Sequence, residues 1–233
     1  MSIYLLTFLL GSTIASFLNV IAQCVPIHQN WWSRRSVCLH CQNVLTPLQL
    51  IPIFSFLFQK GRCKSCQIKI SPLYLLTEMT GGLLFMFPFL FLSDPQAYFI
   101  QAWLFFSLLL TVTLTDLYYR RIPNKILMAF GFPLLFMKPN ILTAVIGFLF
   151  FYGAALLGKI LFKKETIGGG DIKLYAVIGL VFQVQSLFLS IIISSTAAFI
   201  YLILFTKSHQ HQPIPFAPFI ALGAVITYLL SLH

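Results

Sequence analysis

The sequence predicts an all-α polytopic membrane protein with about eight transmembrane helices, some of them short. Hydrophobic residues make up 59% of the 233-residue chain and charged residues only 9%, whereas a soluble domain carries about a quarter charged residues. Mean hydropathy is +0.91. Apolar runs recur along the chain, and several approach the length of about 20 residues that a helix needs to cross a bilayer. This pattern disfavours a soluble protein with a large apolar core.

The predicted spans follow from where the apolar runs start and stop. The first run, 3–22, has no charged residue and no polar exit typical of a cleavage site, so we expect a retained helix and not a removed signal peptide. Small residues in this run, such as Gly11 and Ala15, permit close contact with another helix. The other predicted spans are 73–92, 97–115, 126–137 (or 122–137), 141–162, 174–182, 187–205 and 214–230. The fourth and sixth runs are short, which leaves six or seven spans with re-entrant pieces open.

The charged residues predict the orientation of the chain. The net charge is +10, and the positive residues cluster in a few loops, as they do on the cytoplasmic side of membrane proteins. We therefore interpret the charge as a topology signal and expect no nucleic-acid partner. The expected organisation is a first transmembrane helix (1–22), an inserted cytoplasmic loop (23–71) and a transmembrane core (72–233), with the N-terminus outside.

Four cysteines in the inserted loop predict a metal site. Cys38 and Cys41 form one CxxC pair, and Cys63 and Cys66 form a second pair. Two such tight turns can supply four thiolates to one tetrahedral zinc ion. Since the loop has few apolar residues outside 50–58, a structural zinc would take the place of a hydrophobic core.

These cysteines also have other interpretations. Disulfides are the main alternative, although a cytoplasmic location keeps thiols reduced. A catalytic zinc is disfavoured because four thiolates close the coordination shell. His40, inside the first pair, could replace one cysteine ligand. Cys24 is left over, and we expect it to be a packing residue.

Two acidic residues point to a chemical function. The chain has only five acidic residues; Asp116 ends one apolar run, Asp171 begins another, and both are predicted at the same membrane face. Two carboxylates held close cannot both ionise easily, so one keeps a proton while the other activates water, which is the chemistry of aspartic proteases. Gly168, Gly169 and Gly170 immediately precede Asp171, and glycines let a substrate backbone approach closely.

Both aspartates also have simpler interpretations. Asp171 could cap the N-terminus of the following helix, and Asp116 could pair with Arg120 one turn further on. Against these, an acid near a helix C-terminus opposes the helix dipole, and three glycines exceed what a cap requires. Asp94 and Glu165 are expected to be loop charges.

Together these features resemble the type IV prepilin peptidases, which are integral membrane aspartyl proteases of the GxGD type. The resemblance extends over nearly the whole chain, and its motifs occur in a fixed order, which makes it specific. The matching segments are Gly11-Ser12, 16–20 (SFLNV), the two CxxC pairs, 51–55 (IPIFS), 71–74 (SPLY) with Glu78, Asp116 with Ile122-Pro123, 168–173 (GGGDIK) and 215–219 (PFAPF).

The resemblance implies an activity and a location. Asp116 and Asp171 would be the catalytic dyad. They would remove a short, basic leader after a glycine from type IV prepilins or pseudopilins, at the cytoplasmic face of the bacterial cell membrane. Larger members of the family also methylate the new N-terminal residue with S-adenosylmethionine, a function associated with the N-terminal half, so we expect both activities. The compact length resembles the competence-type processing enzymes of Gram-positive bacteria.

The sequence also predicts roles for three further residues, Cys24, Glu78 and Lys173. Cys24 stands where the family usually has an arginine, which removes a cation that could bind an anionic group. Glu78 is expected either to contact the substrate or serve methyl transfer, or to form a structural pair with a basic group such as Lys69. Lys173 is expected to tune the dyad or to contact lipid headgroups.

Two other functional classes fit parts of the pattern. A proton- or cation-coupled transporter would use intramembrane carboxylates, and the short interrupted segments favour it. It predicts acids near the bilayer midplane and repeat symmetry, whereas Asp116 and Asp171 lie near the interface and no symmetry is visible. A zinc-containing membrane scaffold without chemistry would make both aspartates dispensable.

Overall fold

A computed structural model describes residues 2–30, 32, 35–38, 40–91, 95–163, 166–205 and 214–231. Within these residues the chain forms nine α-helices and no β-strand, which confirms the predicted all-α fold. The helices are α1 (Ser2–Cys24), α2 (Phe54–Phe58), α3 (Pro72–Phe91), α4 (Pro95–Tyr119), α5 (Asn124–Leu134), α6 (Ile141–Phe162), α7 (Gly169–Gly179), α8 (Val184–Phe205) and α9 (Ala217–Leu230). Asp94 and Glu165, the expected loop charges, lie outside the described residues.

The helix lengths agree with about eight membrane helices, some of them short. Five helices, α1, α3, α4, α6 and α8, are long and apolar enough to cross a membrane. Helix α9 is apolar but has 14 residues. Helices α5 and α7 have 11 residues each, about 17 Å of axis, which is roughly half of a bilayer's hydrocarbon core. The chain is therefore a multi-pass membrane protein, with its short helices in the C-terminal half.

The chain divides into two compact units, 1–110 and 111–233. In the first unit, α1 packs along α3 through small residues. Gly11 lies against the carbonyl of Gly81, and Gly81 lies against Ala15, so a side chain at either glycine would overlap the facing helix. This close contact was expected from the small residues of the first apolar run.

Polar side chains join α1 to α3 at the end where the cysteine-containing loop connects the two helices. The Gln23 amide donates to the Asn19 amide oxygen at 3.1 Å and to the Tyr74 hydroxyl at 3.0 Å. The bond to Tyr74 fastens the end of α1 to the beginning of α3. The cysteine-containing loop therefore leaves and re-enters the helix pair at one place.

In the second unit, α7 packs closely on α6. Gly147 of α6 lies against the carbonyl of Tyr175, and Gly179 of α7 lies against the backbone of Ala144. Helices α8 and α9 are similarly close, because Gly223 lies against the carbonyl of Ser190. Small residues at these contacts let the backbones approach, so they set the packing of α6 on α7 and of α8 on α9.

Candidate active site and metal centre

Asp116 lies in the last turn of α4. The helix extends to Tyr119, beyond the predicted end at 115, and it ends because Arg120 adopts a left-handed conformation with φ 53°. The Arg120 N–H still donates to the Asp116 carbonyl at 2.8 Å. The Asp116 side chain is buried, with 7% of its surface exposed. A carboxylate this buried needs polar partners.

The partners of the Asp116 carboxylate are at the N-terminus of α9. The Ala217 N–H donates to Asp116 Oδ2 at 2.9 Å, and the backbone of Phe216 is a second hydrogen-bond donor to the same group. Arg120 acts on it through its charge. These N–H groups and the positive end of the helix dipole offset part of the cost of burying an ionised carboxylate. Asp116 thus serves as the cap of α9, a contact that the simpler interpretation of a pair with Arg120 did not include.

Asp171 lies in the first turn of α7. Gly168 is the N-cap residue, without a side-chain capping bond, and the helix begins at Gly169. The Asp171 N–H donates to the Gly168 carbonyl at 3.0 Å. The N-cap position therefore belongs to a glycine, and the Asp171 carboxyl group is not used as a cap.

The three glycines before Asp171 have different surroundings. A Cβ at Gly168 would lie 3.1 Å from Asp171 Oδ2, and a Cβ at Gly170 would lie 2.9 Å from the Ile122 Cβ. A Cβ at Gly169 would meet nothing within 4 Å. Gly168 therefore permits close approach to the Asp171 carboxyl group, Gly170 permits close packing on Ile122, and Gly169 borders open space.

The two carboxyl groups interact electrostatically. Asp171 is half-buried and lies outside the five candidate spans. Burial raises the pKa of Asp171 to about 6, and the charge of Asp116 raises it further. A shared site in which one carboxyl group keeps its proton and the other is ionised is the arrangement that acid–base chemistry by a pair of aspartates requires.

A buried tyrosine that the sequence analysis missed fixes the orientation of α7. Tyr175 is fully buried, its ring stacks on Phe151 with centroids 4.0 Å apart, and its hydroxyl is 2.7 Å from the Ser194 hydroxyl. It thereby attaches α7 to α6 and α8. The signal in the sequence was the spacing, since a residue four positions after Asp171 lies on the same helix face.

Two further contacts border the start of α7. The Lys173 ammonium group donates to Asn124 Oδ1 at 3.0 Å, which joins α7 to the beginning of α5. An open cavity of about 290 Å³ lies on the side of Gly169 and is lined mainly by α6 and the segment that precedes α7. Its lining residues are Tyr152, Ala155, Leu156, Lys159, Thr166, Ile167, Gly169 and Ile172.

The four predicted cysteine ligands come together in the inserted loop. The sulfur atoms of Cys38, Cys41, Cys63 and Cys66 all lie within 4.8 Å of one another. The Cys38–Cys66 and Cys41–Cys63 distances are 3.9 and 4.0 Å, close to the edge of about 3.8 Å expected for a tetrahedron with metal–sulfur bonds of about 2.3 Å. These distances are far above a disulfide bond of about 2.05 Å, and His40 does not belong to the group.

Both CxxC turns have the same backbone construction. The Cys38 N–H donates to the Asn43 carbonyl and the Cys63 N–H to the Ile68 carbonyl, at 3.0 and 2.9 Å. An isolated antiparallel bridge closes each turn, Val37 to Val44 and Arg62 to Lys69. Two equivalent turns that face one another supply two sulfurs each, and this is how a structural metal site is assembled from backbone geometry.

The thiols of the second turn titrate at very different pH values. The N–H groups of Cys66 and Ser65 lower the pKa of Cys63 to about 6. The Ile68 N–H lowers the pKa of Cys66, but desolvation and the neighbouring thiols outweigh it and raise the pKa to about 11. The group therefore ionises easily once but resists further ionisation, and a bound cation would offset that repulsion.

Glu78 holds the segment between the two CxxC turns. The Ile53 N–H donates to Glu78 Oε2 at 2.7 Å, and the Ser16 hydroxyl is a further partner. Ile53 has φ 65°, an unusual conformation for a β-branched residue that surrounding contacts must hold. Both partners are uncharged groups, whereas one of the two roles expected for Glu78 was a structural pair with a basic group such as Lys69.

Comparison with known proteins identifies the class. Residues 9–92 match the family described as Bacterial Peptidase A24 N-terminal domain, and residues 103–203 match the Type IV leader peptidase family. A prepilin leader peptidase/N-methyltransferase of Bacillus subtilis (strain 168) is 37% identical over 95% of this chain and 92% of its own length. The enzyme of the same description from Aeromonas hydrophila is 31% identical over 96% and 89%.

A further relative, a type 4 prepilin-like proteins leader peptide-processing enzyme of Escherichia coli O78:H11, is 28% identical over 95% of this chain and 91% of its own. No solved structure matches the chain. The protein is thus a membrane peptidase of the aspartic type. It belongs to the type IV leader peptidase family, together with the prepilin leader peptidase/N-methyltransferases. The transporter alternative is not supported.

Proposed function

We propose that the protein removes the leader from type IV prepilins or pseudopilins after a glycine and methylates the new N-terminus. Asp116 and Asp171 are the catalytic residues, and they work at the cytoplasmic face of the membrane. The observation that carries this proposal is the different hydrogen bonding of the pair: Asp116 accepts a hydrogen bond from the Ala217 N–H at 2.9 Å, whereas burial and the charge of Asp116, with no hydrogen bond to the carboxyl group from the described residues, set the pKa of Asp171 at about 6.

This asymmetry assigns the two roles. Asp116, ionised at the N-terminus of α9, takes a proton from water while the water oxygen attacks the scissile carbonyl carbon. Protonated Asp171 donates its proton to the carbonyl oxygen. When the tetrahedral intermediate collapses, the carbon–nitrogen bond breaks, the amine receives the proton held by Asp116, and Asp171 regains one from the intermediate's hydroxyl group.

The substrate backbone approaches α7 from the open side of Gly169. A Cβ at this glycine would meet nothing within 4 Å, and the neighbouring cavity continues the open space along α6. Gly168 supports the site by letting the chain approach the Asp171 carboxyl group, and Gly170 does so by letting the start of α7 pack on Ile122. Lys173, bonded to Asn124, fixes α7 against α5 and so acts on the dyad through the backbone.

The metal at Cys38, Cys41, Cys63 and Cys66 is zinc in a structural role. Four thiolates leave no open position for substrate or water, and the sulfur separations fit a zinc–thiolate tetrahedron. When bound, the ion supplies the stabilisation that the loop cannot obtain from buried side chains. The inserted loop (23–71) is thus a region distinct from the first span (1–22) and the peptidase core (72–233).

S-adenosylmethionine fits polar groups where the loop joins α1 and α3. The amides of Asn19 and Gln23 and the hydroxyl of Tyr74 form one network, and the Glu78 carboxylate lies on the same helix pair. When bound, this cofactor supplies the methyl group. Glu78 would accept from its amino or hydroxyl groups, whereas buried Cys24 offers no cation for its carboxylate.

The test is co-expression with a type IV prepilin-like substrate, followed by mass spectrometry of the product. Loss of a leader after glycine with the added mass of one methyl group is expected. Cleavage without that mass would restrict the enzyme to proteolysis, and binding of S-adenosylmethionine, measured by equilibrium dialysis on purified protein, checks the cofactor site independently. A substrate left intact by well-folded, metal-loaded protein would contradict the proposed cleavage.

A further inference from the structure

The inserted loop does not extend away from the helix pair. Its Ile53 N–H donates to Glu78 at 2.7 Å, and Glu78 lies within the candidate span Pro72–Leu90. Six residues separate Glu78 from Pro72, which is about 9 Å of helix axis. The middle of the loop therefore folds back along α3 to a level inside the end of the span.

The segment next to this contact exposes large apolar side chains. The 3-10 helix Pro47–Leu50 and the short helix α2 (Phe54–Phe58) contact each other, and neither contains a buried residue. We name residues 48–58 the apolar edge. The exposed members are Leu48 (76%), Leu50 (44%), Ile51 (43%), Phe54 (47%), Leu57 (58%) and Phe58 (84%). Such a continuous apolar surface marks an interaction site.

The charged residues of the inserted loop itself all have the same sign. Region 23–71 contains no aspartate or glutamate, and the first acidic residue of the chain is Glu78. The positive residues are Arg34, Arg35, Lys60, Arg62, Lys64 and Lys69; Lys60 and Arg62, which follow α2 directly, are exposed. A surface that joins exposed aromatic and aliphatic side chains to cations complements an anionic lipid surface.

We propose that the apolar edge lies in the membrane interface, with Phe54, Leu57 and Phe58 inserted at the boundary between headgroups and acyl chains. Lys60 and Arg62 reach the phosphates of anionic lipids. The two helices that bound the loop hold it at the membrane, so docking does not require a diffusional encounter. The bilayer thereby covers apolar surface that the protein itself leaves open, and it fixes the loop at the depth of Glu78.

The experiment uses the full-length, metal-loaded protein in vesicles of phosphatidylcholine, with or without phosphatidylglycerol. A tryptophan is introduced by Phe58→Trp, and the spectrum of the parent protein is subtracted to remove its own tryptophans. Asn43→Trp is the matched control, because Asn43 is exposed in the same loop but lies outside the apolar edge. Quenching by lipids with brominated acyl chains and by aqueous acrylamide is measured for both variants.

We expect blue-shifted emission, quenching by brominated lipid and loss of acrylamide quenching for the tryptophan at position 58, most strongly with phosphatidylglycerol. The tryptophan at position 43 should stay accessible to acrylamide. Emission typical of water at position 58 in both kinds of vesicle would overturn the proposal, as would equal protection at both positions. Protection from acrylamide at position 58 without quenching by brominated lipid would also overturn it, since a protein surface would then cover the edge. None of these signals depends on peptidase activity.

Discussion

The aspartate site and the cysteine loop position their functional atoms by opposite means. In the second unit, close-packed helices hold Asp116 and Asp171. Tyr175, which attaches α7 to α6 and α8, is fully buried. In the loop, Cys63 is the one buried residue among the described residues of 25–71. The helical site therefore owes its geometry to packing, whereas the loop depends on a metal, on one carboxylate and, as proposed above, on lipid. The two regions should respond differently to the same kinds of change.

Substitution of either aspartate should produce the largest effect on activity. We expect Asp116→Asn and Asp171→Asn each to reduce leader cleavage at least roughly a hundredfold, because the pair supplies both the acid and the base. Metal content and helicity should stay at the native level, since neither side chain belongs to the loop. Single-turnover cleavage, measured with metal analysis on the same samples, checks both parts. Substantial processing by either variant would remove that aspartate from the mechanism.

Loss of the cysteines should disturb the loop and its metal while the helices of the second unit stay folded. Cys38→Ser together with Cys41→Ser is expected to abolish stoichiometric metal binding and to expose the loop amides to hydrogen exchange, because a structural metal provides most of such a loop's stability. The amides of α7 and α8 should keep their protection. Cys24→Ala is the matched control, since Cys24 does not belong to the sulfur cluster. Unchanged metal content in the double variant would contradict the assignment of these ligands.

The sequence predicted the parts of each region that depend on local pattern. The CxxC spacing was enough to predict the four-sulfur cluster, because a tight turn brings both cysteines of a pair together whatever surrounds them. Apolar run lengths likewise predicted α6 over Ile141–Phe162. Such features require no knowledge of tertiary contacts.

Long-range contacts could not be predicted in this way. The Ala217 N–H that bonds Asp116 lies 101 residues away in the chain, and neither the predicted span 214–230 nor the resemblance indicated this contact. The hydrogen bond between Ile53 and Glu78 joins a backbone N–H to a side chain, so neither the charges nor the residue types in the sequence predicted it. Tyr175 and Ser194 looked like ordinary apolar-helix residues because their partnership depends on how α7 and α8 pack.

The pH dependence of cleavage should sharpen the contrast between the two carboxyl groups. Asp171 must be protonated to act as the acid, and burial, together with the Asp116 charge, raises its pKa to about 6. We therefore expect cleavage to fall about tenfold for each pH unit above 6. A pH profile measured on reconstituted enzyme with the loop metal intact tests this, and a flat profile between pH 6 and 8 would contradict the role of Asp171.

The same shift has a consequence for stability. Between about pH 4 and about pH 6, the folded state holds a proton on Asp171, whereas the unfolded state, with an ordinary aspartate pKa of about 4, has released it. The folding free energy gained from the protonated carboxyl group is therefore fully present below about pH 4 and is lost as the pH rises through about 6. Asp171→Asn should remove that loss, so its thermal unfolding temperature should depend less on pH over this interval than that of the native protein. Equal dependence in both proteins would argue against a raised pKa.

The smallest expected effect concerns the contact that orients α7. Tyr175→Phe removes the hydroxyl 2.7 Å from Ser194 but keeps the ring stacked on Phe151. Ser194 also donates to the Ile191 carbonyl, so it retains a partner, and the loss of stability should be only about 1 kcal/mol. Thr196→Ala is the matched control, because Thr196 is exposed and bonds only carbonyls of its own helix.

If Tyr175 positions Asp171, Tyr175→Phe should lower the maximal cleavage rate a few-fold and leave substrate affinity and loop metal unchanged, whereas Thr196→Ala should alter none of these. Equal rates in the two variants would mean that ring packing alone sets the orientation of α7. In that case Tyr175→Leu, which removes the stacked ring, should reduce the rate where Tyr175→Phe does not. Either result separates the contribution of the buried Tyr175–Ser194 hydrogen bond from that of ring packing. The metal-dependent loop offers no equivalent test, because its described residues contain no buried hydrogen-bonded pair of side chains.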